Sequence, residues 1–345
     1  MVAAVLAAFI GLAPATVAPP AQPRAWIVVD AATGAVLDAH DERMPMPPAS
    51  LTKLLTALIA VDHLTPADTL TVSDRAAGEP ATKINMKPGQ VWTFQDALYS
   101  LLLSSANDAA VAIGERVGGS LEAFSGQLRQ AGTVLGLQDA PILADPAGLD
   151  DNFSVNGGNV ISARDLAIIG RAVLAQPLLA QVVATKVYSF VGPDGAHHRL
   201  GNHNKLLTMY PGAIGLKTGY TSKAGEDLIS AARRGNRTIL AVVLGAHNLY
   251  RDTATLLDRG FAMTAPAAGA DVLPVVHPLS AAPPAPAVVS IPAPTLAKAG
   301  RDNRIVLAAG TGMLAGAILI SARRRQIRAR RRRRLHRARA ASARP

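Results

Sequence analysis

Three short polar clusters carry side chains that could do chemistry together. In Ser50-Leu51-Thr52-Lys53 a hydroxyl and an amine lie three positions apart, and on a helix such side chains share a face and can hydrogen-bond. The serine falls where a proline-rich stretch, Pro45 to Ala49, meets an apolar run. It would therefore stand at a helix N-terminus, where the dipole and free N–H groups favour developing negative charge. Lys53 lies inside the most apolar helical run of the chain, and a lysine buried there must be paired or neutralised. With 16 Ser and 8 Lys in 345 residues, chance alone gives about 0.4 such pairs, so spacing by itself also fits an N-cap serine and a surface lysine. Ser105-Ala106-Asn107 offers a hydroxyl and an amide between two helical segments, and alone reads as a helix cap. Lys217-Thr218-Gly219, after Pro211-Gly-Ala-Ile-Gly, sets a cation, a hydroxyl and a backbone without Cβ in a row; alone, its lysine could simply guard an edge strand.

The surrounding pattern predicts what must hold these clusters. Ala25–Asp30 and Ala35–Ala39 read as a hairpin across a Gly turn. Leu51–Leu64 is apolar on nearly every side, as a helix buried inside a domain would be. Phe94–Leu103, Asp108–Val117 and Ser162–Leu174 carry helical periodicity, the last with Ser162 as its cap. Ile214–Tyr220, Asp227–Arg233 and Thr238–Gly245 are strand-like, and Arg251–Phe261 closes as a helix. Strands at both ends with helices between them predict an α+β or mixed α/β sandwich without a βαβ repeat.

Taken together and in order, the three clusters resemble the Ser-x-x-Lys, Ser-x-Asn and Lys-Thr-Gly set of penicillin-binding proteins and serine β-lactamases. The segments PASLTKLLTA, SSANDAA, ISARDLA and NHNKLLTMYPGAIGLKTGYTSKAG extend the likeness to the low-molecular-weight D-alanyl-D-alanine carboxypeptidases, over about Ala25 to Phe261. The resemblance implies an antiparallel sheet flanked by helices, with an all-helical lobe and the active site between them. It implies Ser50 as nucleophile and Lys53 as its general base, neutral at working pH. Ser105 would relay a proton to the leaving amine, and Asn107 would orient Lys53 and the substrate amide. Lys217 and Thr218 would meet the substrate carboxylate, beside Gly219, with Arg251 as a further carboxylate ligand. The backbone N–H groups of Ser50 and Tyr220 would form the oxyanion hole. The substrates implied are peptidoglycan stem peptides ending in D-Ala-D-Ala and, covalently, β-lactams, with no metal or cofactor. No Glu occurs between Ala123 and Gly225, which disfavours the fast acyl-enzyme hydrolysis of class A β-lactamases. A β-lactamase-like hydrolase and a catalytically silent penicillin- or wall-binding module stay open as alternatives. His197, His198 and His203 read as solvated histidines rather than metal ligands.

Composition bounds the setting. Half the chain is apolar, 49%, and it has no cysteine, so disorder throughout, a disulfide framework and thiol catalysis are excluded. The net charge of +11 invites a nucleic-acid reading, but twelve arginines lie in residues 323–345; removing them leaves −1. Residues 1–22 read as a secretory leader with Ala13-Pro14-Ala15 as its cleavage site, although no Lys or Arg precedes the apolar run. A catalytic domain is expected over 23–263, a Pro/Ala-rich spacer over 264–304, and a transmembrane helix over 305–322. The arginine tail, 323–345, would then be cytoplasmic by the positive-inside rule and serve as a headgroup anchor, with no nucleic-acid partner. The expected location is the cell membrane, single-pass, with the catalytic domain outside.

Overall fold

The computed structural model describes residues 22–150, 153–155, 157–264 and 271–279. The chain opens with strands β1 (Ala25–Asp30) and β2 (Val36–His40), then passes through a 3-10 turn (Ala49–Thr52) into α1 (Lys53–His63). It continues through β3 (Thr69–Thr71), α2 (Asp74–Gly78), β4 (Val91–Thr93), α3 (Phe94–Leu103), α4 (Asn107–Gly118) and α5 (Leu121–Leu135). Then follow α6 (Ala163–Ala175), α7 (Pro177–Ala184), the hairpin β5 (Val187–Val191) and β6 (His197–Gly201), and a single turn, α8 (Leu206–Met209). Strands β7 (Ala213–Thr221), β8 (Gly225–Arg234) and β9 (Arg237–Ala246) and helix α9 (Leu249–Ala262) complete it.

The expected mixed α/β architecture with an antiparallel sheet is what forms. One five-stranded sheet runs in the order β2-β1-β9-β8-β7, every neighbouring pair antiparallel. Its central strands lack the apolar–polar alternation of a half-exposed sheet because both faces are covered. In β1, Ala25, Ile27 and Val29 join the larger core while Trp26 and Val28 enter the smaller core under α9. In β9, Leu240, Val242 and Leu244 face the first core and Ile239, Ala241 and Val243 the second. The larger core continues into the helical lobe, where α1 is wrapped by α3, α4, α5 and α6. Every residue from Lys53 to Ala60 is buried, so the all-round apolar character of that run reflects a helix with no solvent face.

Several elements escaped the periodicity reading. Helix α5 is capped by Ser120, whose hydroxyl accepts from the Ala123 N–H, and it buries Leu121, Phe124, Leu128, Ala131 and Leu135. The β5–β6 hairpin places His197 and His198 on a strand, and His198 stacks on Phe190 beside Trp92. Among the described residues no group of His, Asp and Glu is arranged to hold a metal ion. Residues 271–279 pack back onto the domain although their composition reads as spacer. Leu273 is 2% exposed within the larger core, the Val36 N–H donates to the Asp271 carbonyl, and the Asp271 carboxylate pairs with both terminal nitrogens of the buried Arg164. The folded body therefore reaches Leu279 instead of ending at Met263. Among the described residues no single helix is long and apolar enough to cross a membrane. The expected leader over 1–22, apart from Gln22, and the transmembrane helix and arginine tail over 305–345 lie outside the described residues.

Candidate active site

The first and second clusters meet through the lysine. Ser50 sits in the 3-10 turn that feeds α1, and Lys53 is the first residue of the helix proper. This wound geometry brings Lys53 Nζ to 2.8 Å from Ser50 Oγ. The same nitrogen lies 2.8 Å from Asn107 Oδ1 and 2.6 Å from the Ala147 carbonyl. All three donors of an ammonium thus have partners, which is what lets a lysine occupy a site with no solvent exposure. Burial still outweighs the nearby carboxylates of Asp145, Glu79 and Asp108, and the pKa of Lys53 falls from 10.5 to about 7. Ala49, immediately before the nucleophile position, has φ 46°. A non-glycine residue held there stores on the order of 1–3 kcal/mol of strain, a pattern concentrated at functional sites.

Asn107 opens α4 and is 97% buried, at 3% exposure. Its Nδ2 donates to the Pro80 carbonyl (3.0 Å) and its backbone N–H to the Thr82 carbonyl (2.8 Å), which leaves Oδ1 fixed toward Lys53. The neighbouring Asp108 secures the same loop, accepting from the N–H groups of Ile84 and Met86. Ser105 is in the left-handed region at φ 61°. This sharp reversal between α3 and α4 puts Ser105 on the wall of the cleft that also exposes Ser50.

The third cluster is the edge of the sheet. Strand β7 is terminal in the strand order, so one row of its backbone groups is available to an extended ligand. Thr218, Gly219 and Tyr220 line the cleft, of about 680 Å³, with Ser50, Ser105, Ala81 and Thr82. Gly219 packs closely on the nucleophile turn: a Cβ there would lie 3.1 Å from Ala49 Cβ and 3.2 Å from the Pro48 carbonyl. Lys217 is buried beneath this edge, with Nζ donating to the Thr218 carbonyl at 3.1 Å. Burial, and after it the charge of Lys53, push its pKa well down.

The structure does not bring Arg251 to this cleft. It lines a separate depression with Gln22, Pro23 and Trp26. Consecutive helical residues are turned by about 100°, and on α9 it is Tyr250 that faces the cleft. Tyr250 donates its hydroxyl to the His203 carbonyl (2.9 Å), and Lys205 Nζ lies 5.7 Å from its ring centre. Lys205, His203, Glu226 and Tyr250 complete the rim and were not found from sequence, where only the segment NHNK ahead of β7 pointed to that side. The Ala147 carbonyl was equally invisible, because a main-chain acceptor has no residue-type signature. A second groove of about 590 Å³, lined by Arg171, Ala180, Ile214 and Val275 among others, holds no comparable convergence of nucleophile and base.

Comparison with known proteins follows the same lines. The profile of the D-alanyl-D-alanine carboxypeptidase family, peptidase S11, matches residues 13–248. The D-alanyl-D-alanine carboxypeptidase DacB2 of Mycobacterium tuberculosis is 34% identical over 244 residues, covering 69% of this chain and 82% of that protein. DacF of Bacillus subtilis is 31% identical over 225 residues, 64% of this chain and 56% of its own length. Among solved structures, a D-alanyl-D-alanine carboxypeptidase from Mycobacterium tuberculosis H37Rv superposes with a TM-score of 0.67 at 33% identity, covering 77% of this chain and 100% of that one. A mutant of the Streptomyces K15 DD-transpeptidase gives 0.65 at 27% identity, covering 71% and 100%. With the Ser-x-x-Lys pair, Ser105 and Asn107, and the Lys-Thr-Gly edge converging on one cleft, the chain belongs to the D-alanyl-D-alanine carboxypeptidase family of serine peptidases.

Proposed function

We propose that this chain removes the terminal D-alanine from peptidoglycan stem peptides through an acyl-enzyme on Ser50, and that β-lactams acylate the same hydroxyl. The observation that carries the reading is a fully buried lysine 2.8 Å from an accessible serine at a helix start. Neutral Lys53 takes the Ser50 proton as Oγ attacks the carbonyl between the two D-alanines. The carbonyl oxygen becomes an oxyanion toward the backbone N–H groups of Ser50 and Tyr220. The C–N bond then breaks, and the leaving amine receives the proton from Lys53 by way of Ser105. Water attacks the ester, giving up its proton to Lys53, and Ser50 is released with its own proton restored. The edge of β7 pairs with the extended substrate, and Lys217 and Thr218 meet its terminal carboxylate. Arriving negative charge favours protonation of Lys217, which in turn keeps Lys53 deprotonated.

The sequence further supports a membrane tether. In this reading residues 305–322 span the bilayer and the arginine tail stays on the cytoplasmic side, so the catalytic domain faces the wall. The test of function is D-alanine release from a diacylated peptide ending in D-Ala-D-Ala. The wild type is expected to release it and Ser50→Ala to be inactive; equal release by the two proteins refutes the assignment of Ser50. Rapid, continuous turnover of penicillin with no D-alanine release would instead make the protein a β-lactamase-like hydrolase.

A further inference from the structure

The Ala147 carbonyl belongs to a turn built around one carboxylate. Asp145, 2% exposed, accepts through Oδ1 from the N–H groups of Ala147 (2.9 Å), Gly148 (2.6 Å) and Leu149 (3.2 Å). Its Oδ2 accepts from the Val155 N–H at 2.7 Å. Four backbone donors thus converge on one carboxylate, three on Oδ1 and one on Oδ2. Asn159 clamps the turn from the other side: Oδ1 accepts from Ala144 and Asp145 N–H (2.7 and 2.9 Å), while Nδ2 donates to the Asp145 carbonyl and to Thr52 Oγ1 (2.8 and 3.0 Å). Thr56 Oγ1 donates to the Pro146 carbonyl at 2.7 Å. The turn is thereby fastened to the same 3-10 turn and helix that carry Ser50 and Lys53. Gly148 presses so closely that a Cβ would stand 1.8 Å from the Ala49 carbonyl oxygen.

The number of donors decides what this turn does. A neutral amine has two N–H bonds and one lone pair. Of the three partners of Lys53 Nζ, Asn107 Oδ1 and the Ala147 carbonyl can only accept, whereas Ser50 Oγ carries a proton to give. With both fixed acceptors in place, the two N–H bonds are committed and the lone pair points at Ser50. With the Ala147 carbonyl displaced, the amine is free to turn that lone pair elsewhere.

We propose that Asp145 is a positioning residue for acylation: by fixing the Ala147 carbonyl against Lys53 Nζ, it holds the lone pair of the neutral amine on the Ser50 hydroxyl. The proposal rests on Lys53 acting as the base. The charged groups around that base are Asp145 from this loop, Glu79 at the end of α2, Asp108 in the first turn of α4 and Lys217 on β7. Asp145 stands first among the carboxylates that favour the ammonium of Lys53.

Asp145→Asn keeps the shape but turns an NH2 group toward backbone donors and removes the charge. Acylation by a chromogenic cephalosporin, followed in a single turnover on the full-length protein, is expected to slow about 10- to 100-fold at saturation. The half-saturating concentration is expected to stay within about twofold, because Thr218 and the β7 edge are untouched. The acid limb of the pH profile is expected to move to lower pH. A purely structural role would lower the yield of folded protein and leave the rate per active site and the acid limb unchanged, and that result overturns the proposal. If Asp145→Asn does not fold, Thr56→Val loosens the same turn at Pro146 and spares the carboxylate. It is expected to slow acylation about threefold or more with the acid limb in place, and an unchanged rate overturns the proposal. Failure of the wild type to acylate at Ser50 would count against the mechanism itself; wild-type acylation matched by the variants counts against Asp145 alone.

Discussion

Lowering the pH puts a proton on Lys53, and the structure sets where that happens. Burial brings its pKa from 10.5 to about 7 against the opposing pull of Asp145, Glu79 and Asp108. The neutral fraction is then about nine-tenths at pH 8, about half at pH 7, about a tenth at pH 6 and about a hundredth at pH 5. A base must be neutral to accept the Ser50 proton, so the second-order acylation rate with a chromogenic cephalosporin is expected to fall about tenfold per unit below pH 6.5 and to be flat above pH 8. An ordinary lysine would be neutral in only about three molecules per thousand at pH 8, and the rate would climb steadily to pH 10. A rate that still rises tenfold between pH 8 and 9 refutes the burial argument, and a rate unchanged from pH 5 to 8 refutes Lys53 as the base. The same shift is a stability statement. Between pH 7 and 10.5 the unfolded chain holds a Lys53 proton that the folded chain has released, so this group's contribution to stability rises with pH across that window and is constant below it.

Three further perturbations probe the frame and the carboxylate end of the site. Gly148→Ala forces a Cβ to 1.8 Å from the Ala49 carbonyl at a φ of 75°, and should cost at least about 3 kcal/mol in urea unfolding, with wild-type stability contradicting the close approach. Lys217→Met removes a buried amine that donates to its neighbour's carbonyl. It should leave the unfolding midpoint level or higher while raising KM for a D-Ala-D-Ala peptide about 10- to 150-fold through loss of one charge-assisted hydrogen bond; an unchanged KM removes Lys217 from carboxylate recognition. Asp271→Ala leaves the Arg164 guanidinium, 3% exposed, without its carboxylate partner. A loss of about 1–3 kcal/mol in urea unfolding is expected, and no loss would mean that the Arg164–Asp271 pair adds nothing to the stability of the domain.

What was legible in the sequence follows from where side-chain chemistry is expressed. Helix α1 and strands β1 and β9 were readable because burial on every side demands continuous apolar residues. The Ser50–Lys53 pair was readable because helical winding fixes it locally. Helix α5 was also written in the sequence, as Ser120 followed by Leu121, Phe124 and Leu128, yet its polar remainder masked it. The β5–β6 hairpin was harder: its alternating exposure mixes histidine, serine and arginine with aromatics whose partner, Trp92, is far away in sequence. The end of the domain was misplaced because the Pro-, Ala- and Val-rich composition from 264 onward reads as spacer, while Leu273, Val276 and Leu279 pack against the larger core. Arg251 was misplaced by helix phase, and the Ala147 turn was hidden because its function runs through main-chain atoms.

The most direct test of the account is the site of covalent capture. The full-length protein is incubated with benzylpenicillin, denatured, digested with trypsin and analysed by mass spectrometry. A penicilloyl adduct is expected on the peptide from Met44 to Lys53, located at Ser50, with Ser50→Ala unlabelled. An adduct on any other peptide, or labelling that survives Ser50→Ala, would contradict it.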